Sequence, residues 1–227
     1  MPSKKLQDNK DTRTARVNIG FPRQKQDWKK LPAIYSNNKL SIYNQPVIEE
    51  WERPYMRTLA KIATSHNGVI IEVGFGMGIA AEYIDEADVY KHIIIEANHS
   101  VAERAREFAC NAKNRTYILE GFWQEVIDQI LDDSIDGILC DTYPLSAKEL
   151  HKDNWKFFPV AFKKLKSGGV FTYYSDEAKD YSKAQRQALL NAGFANENIF
   201  SKIVDVNPPS KCLYWQAKTF LAPIVIK

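Results

Sequence analysis

Short apolar runs punctuate the chain at regular spacing: GVIIEV (68–73), KHIIIEA (91–97), RTYILEG (115–121), IDGILCD (135–141) and GGVFTYY (168–174). Two later runs, FSKIVDV (200–206) and FLAPIVIK (220–227), follow them. Each has the length of a strand. Stretches with helical spacing lie around them: VIEEWERPYMRTLAKIAT (47–64) before the first run, SVAERAREFACNA (100–112) after the second and YSKAQRQALLNAGF (181–194) after the fifth. Strand and helix alternating in this way predict an α/β domain with a doubly wound parallel sheet, covered by helices on both faces. Such sheets bind ligands outside the carboxyl ends of their strands, near the switch in strand order. The residues just after each run are therefore the candidates for function.

Composition bounds this picture without changing it. At 227 residues, 44% hydrophobic and 26% charged, the chain suits one domain with a full core. Charge is uneven: the first thirty residues hold nine Lys or Arg against three Asp, a balance of +6, which leaves −3 for the rest of a chain whose total is +3. Residues 1–25 read as a mobile basic arm and 26–227 as a single domain. A basic arm can seek nucleic acid or anionic lipid, but a polar, poorly periodic terminus is expected to be a solvated arm, and nucleic acid is not an expected partner. No window approaches the roughly 18 apolar residues of a membrane span, and the N-terminus lacks the apolar core of a secretory signal. A cytoplasmic protein without a membrane partner is expected. Cys110, Cys140 and Cys212 show no CxxC spacing and read as reduced core thiols; the four histidines show no metal-ligand spacing, so no metal is expected.

The first strand end carries the clearest chemistry. In Glu72-Val73-Gly74-Phe75-Gly76-Met77-Gly78-Ile79, three glycines follow a strand and open a helix. A dinucleotide fingerprint would place its third glycine at 79, where this chain has Ile79. Glycines let a ligand lie against the backbone, and Glu72, just inside the turn, suits a ligand with a cationic end better than a pyrophosphate. E-x-G-x-G-x-G resembles motif I of the class I S-adenosylmethionine-dependent methyltransferases, whose cofactor carries an amino group and a sulfonium.

The other strand ends fit the same ligand. Glu96 ends the second run, about twenty residues past the glycine turn, where a carboxylate can accept both ribose hydroxyls of an adenosine cofactor; the plainer reading is a solvated strand-end charge. In the methyltransferase class the third strand end borders the adenine, which implies Gly121, Phe122 and Trp123, although the two aromatics also read as core. The fourth run ends CDTYP and puts Asp141 beside the place of the reactive methyl; Asp141 also reads as a cap on a following turn.

From Trp28 almost to the C-terminus the chain resembles guanidinoacetate N-methyltransferase, through PVIEEWERPYM, EVGFGMGIA, IDGILCDTYPLS, LKSGGVFTY and NAGFANENI. It is also similar to the fungal arginine δ-N-methyltransferase type, which shares GFGMGI and D-T-Y. The resemblance implies a class I methyltransferase (Rossmann-like) fold with a mostly parallel seven-stranded sheet, S-adenosyl-L-methionine as cofactor and S-adenosyl-L-homocysteine as product. It implies that residues 26–66 cover cofactor and substrate, with Trp28 and Tyr35 closing over the cofactor and Ile48 and Met56 near it. Gly74, Phe75, Gly76, Met77, Gly78, Ile79, Ala80, Glu96, Gly121, Phe122 and Asp141 are implied as further cofactor contacts, with Glu72.

A guanidinium is a planar fork of donors that matches carboxylates, and its delocalised lone pairs make it a poor nucleophile. Methyl transfer needs one nitrogen held about 3 to 3.5 Å from the methyl carbon, with a carboxylate to take the proton. Asp141 is the natural acceptor, and the resemblance implies that Glu52 grips the other edge. Glu49 shares a helix face with Glu52 at i, i+3 and is not separated from it by spacing alone. Tyr143 is a candidate for the substrate pocket or a packed aromatic.

One segment departs from the family. After GGVFTYY the family continues with a longer stretch whose small hydroxylated residues and backbone amides receive the substrate carboxylate, whereas this chain is shorter and reads Ser175-Asp176-Glu177-Ala178-Lys179-Asp180. Asp176 and Glu177 would repel a substrate carboxylate by on the order of 1 kcal/mol or more. The expected activity is N-methylation of a small guanidino compound, guanidinoacetate giving creatine being the family's reaction. The alternatives are a larger or cationic guanidine, such as an arginine derivative or natural-product intermediate; protein arginine or nucleic acid; and a non-enzymatic cofactor sensor.

Overall fold

The computed structural model describes residues 21–142, 144–146, 154–212 and 214–227. Most of the basic arm, together with Tyr143 and His151, lies outside the described residues. The described chain opens with a 3-10 turn over Lys25–Lys30. Three short strands follow, β1 (Ala33–Ser36), β2 (Lys39–Ile42) and β3 (Gln45–Glu49), which pair in order as an antiparallel sheet. After a 3-10 turn over Glu50–Glu52 comes α1 (Arg53–Ala63), with Pro54 in its first turn, where a missing N–H costs nothing.

The central sheet is built from β4 (Val69–Val73), β5 (Lys91–Glu96), β6 (Thr116–Glu120), β7 (Ile135–Cys140), β8 (Leu165–Tyr173), β9 (Ile199–Asp205) and β10 (Thr219–Ile226). Its order is β6-β5-β4-β7-β8-β10-β9. The pairs from β6 through to β8 are parallel, and β10 runs antiparallel to both β8 and β9. Seven strands therefore stand where seven apolar runs were read. The remaining helices are α2 (Ile79–Glu86), α3 (His99–Asn111), α4 (Trp123–Val126), α5 (Phe158–Lys164) and α6 (Lys183–Asn191).

Two cores hold these layers. Leu59 and Ala60 of α1, Ile79 and Ile84 of α2, and Val101 and Ala105 of α3 pack with Trp28, Leu40 and Ile48 on one face. Val126 of α4, Phe158 and Ala161 of α5, and Leu189 of α6 pack on the other. Tyr55 of α1 stitches the first face to the sheet: its buried hydroxyl accepts from the Ser175 N–H at 3.0 Å and donates to the Leu221 carbonyl at 3.0 Å. Among the described residues, no helix is long and apolar enough to cross a membrane.

Two local expectations need correction. The helix read from Val47 starts at Arg53, because Val47, Ile48 and Glu49 belong to β3 and pair with β2. Glu49 and Glu52 still meet, through a capping box in which the Glu49 N–H donates to Glu52 Oε1 at 2.9 Å. Cys140 and Cys212 are buried, but Cys110 is exposed on α3 rather than in the core.

Candidate active site

The glycine turn fills the gap between the ends of β4 and β7. Gly74 sits at φ +93°, and a Cβ there would lie 2.0 Å from the Asp141 carbonyl oxygen, so a side chain cannot be accommodated. The Gly74 N–H donates to the Ile95 carbonyl and the Asp141 N–H to the Val73 carbonyl, both at 2.8 Å. These bonds fasten the turn between its two neighbouring strands. Gly78, left-handed at φ +79°, then starts α2.

Two carboxylates underlie the turn. Glu96 accepts from the Phe75 N–H at 3.0 Å and the Asn98 N–H at 2.8 Å. Burial pushes its pKa up, and the backbone N–H groups of Asn98, Phe75, Ala97 and Gly76 oppose that rise. Glu72 is buried, with Oε2 2.9 Å from Nε2 of the equally buried His92 on β5. Burial raises the Glu72 pKa, and His92 works against it.

The N-terminal segment lies over this end of the site. Asn98, fully buried, caps α3 through its carbonyl and donates its amide to the backbone carbonyls of Trp28 and Leu31, each at 2.8 Å. The Lys29 ammonium meets Glu125 at 2.7 Å, and the Lys25 ammonium lies 4.4 Å above the Phe122 ring. The Tyr35 hydroxyl donates to the Gly76 carbonyl at 3.1 Å, with the Arg104 guanidinium 3.6 Å above its ring. Burial pushes that hydroxyl up to about 12.

Glu52 is buried and accepts from three donors among the described residues. Oε1 accepts from the Tyr214 hydroxyl at 2.6 Å as well as from the Glu49 N–H, and Oε2 accepts from the Tyr174 hydroxyl at 2.9 Å. Tyr174 follows β8 directly, its N–H donating to the Cys140 carbonyl at 2.9 Å. The Glu177 N–H points to Ser175 Oγ at 3.3 Å and its carbonyl accepts from the Leu221 N–H at 2.8 Å.

An open cavity joins these parts. Of the residues read from sequence, Glu72, Gly74, Phe75, Gly76, Ala80 and Glu96 line it. Trp28, Ile48, Met56, Gly121, Phe122, Asp141 and Asp176 line it as well. Tyr35, Glu52, Met77, Gly78, Ile79 and Glu177 are not on the wall, and Tyr143 lies outside the described residues. For Glu52, the wall is formed by the two tyrosines that hold it. Sequence reading missed Asn98, Tyr174 and Tyr214. Asn98 carried a signal, an N-cap residue ahead of a helical pattern; Tyr214, in KCLYW, carried none.

This strand order, with a glycine turn after β4, an acid ending β5 and another just after β7, defines a class I S-adenosylmethionine-dependent methyltransferase fold. The fold is shared with spermidine synthase from Thermotoga maritima, at a TM-score of 0.59 and 15% identity over 86% of this chain and 72% of that one. It is shared also with TYW2 from M. jannaschii, solved with AdoMet, at 0.58 and 13% over 86% and 84%. Residues 22–227 match guanidinoacetate N-methyltransferase, and the chain belongs to that family of S-adenosylmethionine-dependent enzymes. Protein arginine N-methyltransferase 2 of Kluyveromyces lactis is 32% identical over 59% of this chain and 34% of its own length. The protein of the same name from Aspergillus oryzae is 26% identical over 84% and 49%. The chain thus spans a third to a half of these two relatives.

Proposed function

We propose that the protein methylates a nitrogen of a guanidino group, consuming S-adenosylmethionine and releasing S-adenosylhomocysteine. The observation that carries this reading is the charge of the cleft: Glu72, Glu96, Asp141 and Asp176 line it, against Lys25 as the one cation among the described lining residues. Cofactor and substrate are both cationic at their reacting ends, and such a wall attracts each of them.

Bound cofactor supplies an electrophilic methyl on a sulfonium that leaves as a neutral thioether. The chain does the rest. Gly74, Phe75, Gly76 and Ala80 form the cradle, with Met77, Gly78 and Ile79 supporting it from behind the wall; Glu96 takes the ribose hydroxyls, and Gly121 with Phe122 borders the adenine. Trp28, Tyr35, Ile48 and Met56 cover that end, and Glu72 favours the amino group through its charge. Asp141 holds one edge of the guanidine and accepts the proton as its nitrogen attacks, and Glu52 orients the other edge. The domain follows the same plan, with 26–66 as covering segment on a body extending to 227 and 1–25 as a basic arm.

Guanidinoacetate, the family substrate, is the first candidate. Asp176 on the cavity wall favours a second, a guanidino compound without a carboxylate at that end; Glu177 contributes through its charge. Turnover of labelled S-adenosylmethionine against guanidinoacetate, arginine, agmatine and an arginine-containing peptide separates these readings. Preference for guanidinoacetate would make this a creatine-forming enzyme; activity confined to agmatine or arginine would assign Asp176 to a cationic tail. Methylation of the peptide alone would move the substrate to protein. Absence of turnover on all four would overturn the guanidino reading.

A further inference from the structure

We propose that Tyr214 is a positioning residue for Glu52, acting together with Tyr174 as a phenol clasp on the buried substrate acid. This inference rests on the role given to Glu52 above. Three distant parts of the chain converge here: Glu52 from the turn before α1, Tyr174 from the end of β8, and Tyr214 from the segment before β10. Glu52 is only 1% exposed, and a carboxylate so buried is costly unless its lone pairs are hydrogen-bonded. Phenols meet that need as neutral donors. They satisfy the oxygens without adding a positive charge that would compete with a guanidinium.

The clasp also sorts Glu52 from Glu49. The Tyr214 hydroxyl is 2.6 Å from Glu52 Oε1 but 3.3 Å from Glu49 Oε2, and that second oxygen accepts the Trp51 indole N–H at 2.7 Å. Trp51 packs 5.9 Å from the Tyr214 ring and 6.0 Å from the Phe220 ring, which fixes the indole in place. Glu49 is thereby tied to Trp51 and Glu52 to the tyrosines on the cavity wall. Burial and the adjacent Glu52 push the Tyr214 pKa far above its ordinary value, so the hydroxyl keeps the proton it donates.

The test compares Tyr214→Phe and Tyr174→Phe with the full-length wild type, by steady-state kinetics on the guanidino compound that the wild type turns over best. Loss of a hydrogen bond to a charged group is expected to lower kcat/KM by about 10- to 100-fold, with affinity for S-adenosylmethionine unchanged. The acid limb of the pH profile should move to higher pH, because a carboxylate that loses a donor is protonated more easily. A second readout needs no turnover: in carbon-13 NMR of labelled glutamate side chains, the Glu52 titration should move up in both variants. Wild-type kcat/KM in both variants would overturn the proposal. So would a stationary Glu52 titration, or parallel losses of melting temperature and cofactor affinity with an unmoved pH limb. If the wild type methylates no guanidine, the reading of function fails by itself, and the NMR titration still decides whether the tyrosines hold Glu52.

Discussion

A side chain on Gly74 would begin 2.0 Å from the backbone carbonyl oxygen of Asp141, so the glycine turn and the acid that follows β7 are pressed into one unit. Neither can shift without the other. Gly74→Ala combines this clash with a positive φ, which costs an ordinary residue about 1–2 kcal/mol before any clash is counted. The variant is expected to lose at least about 2 kcal/mol of stability to denaturant and to bind S-adenosylmethionine at least tenfold more weakly by calorimetry. Unchanged affinity would show that the cofactor does not lie against this turn.

Asp141→Asn separates binding from chemistry. The asparagine keeps the shape of the strand end and the N–H bond to the Val73 carbonyl, but it cannot take a proton. Turnover is expected to fall by about 10²- to 10⁴-fold, while calorimetry finds cofactor affinity within a few-fold of wild type. Loss of cofactor binding in place of turnover would move Asp141 from proton acceptor to cofactor ligand.

Asn98 ties the 25–31 segment to α3, capping the helix with its side-chain carbonyl and holding the Trp28 and Leu31 carbonyls with its amide. Asn98→Asp keeps the cap and replaces both donations with repulsion; Asn98→Ala loses cap and donations together. The cap is worth about 1 kcal/mol. Both variants should release the 25–31 segment and weaken cofactor binding, with faster hydrogen exchange at residues 25–31. Release in Asn98→Ala alone would mean that the cap, and not the amide, holds Trp28.

The parallel strands were legible because a strand buried on both faces reads as an unbroken apolar run, as VIIEV of β4 and HIIIE of β5 do. The strands before α1 were not. Ala33–Ser36 alternates half-buried and exposed residues over four positions, too few to register as a period, and Val47–Glu49 continued a helical pattern that Arg53 and Pro54 in fact begin. The site divides in the same way. Acids at strand ends, Glu96 and Asp141, announced themselves by position. Glu52 was named by resemblance, but its partners came from folding: Tyr214 is 162 residues away, and no local signal marks it.

Glu72 poses a trade-off between stability and function. Burial raises its pKa, so the folded protein holds this proton more tightly than the unfolded chain does. Its contribution to stability is therefore full below the ordinary carboxylate pKa of about 4.3 and is lost as pH rises through the raised value. Glu72→Gln removes that titration. Thermal unfolding from about pH 4 to about pH 8 should show the wild type losing stability relative to the variant across the window. If Glu72 attracts the cofactor through its charge, the same variant should bind S-adenosylmethionine more weakly at neutral pH, although it is no less stable there. A variant with unchanged affinity and a flattened pH dependence would leave the Glu72–His92 pair as a structural feature beneath the turn and take Glu72 out of the cofactor site. A variant that still loses stability with rising pH would shift the titration to Glu96, which burial also pushes up.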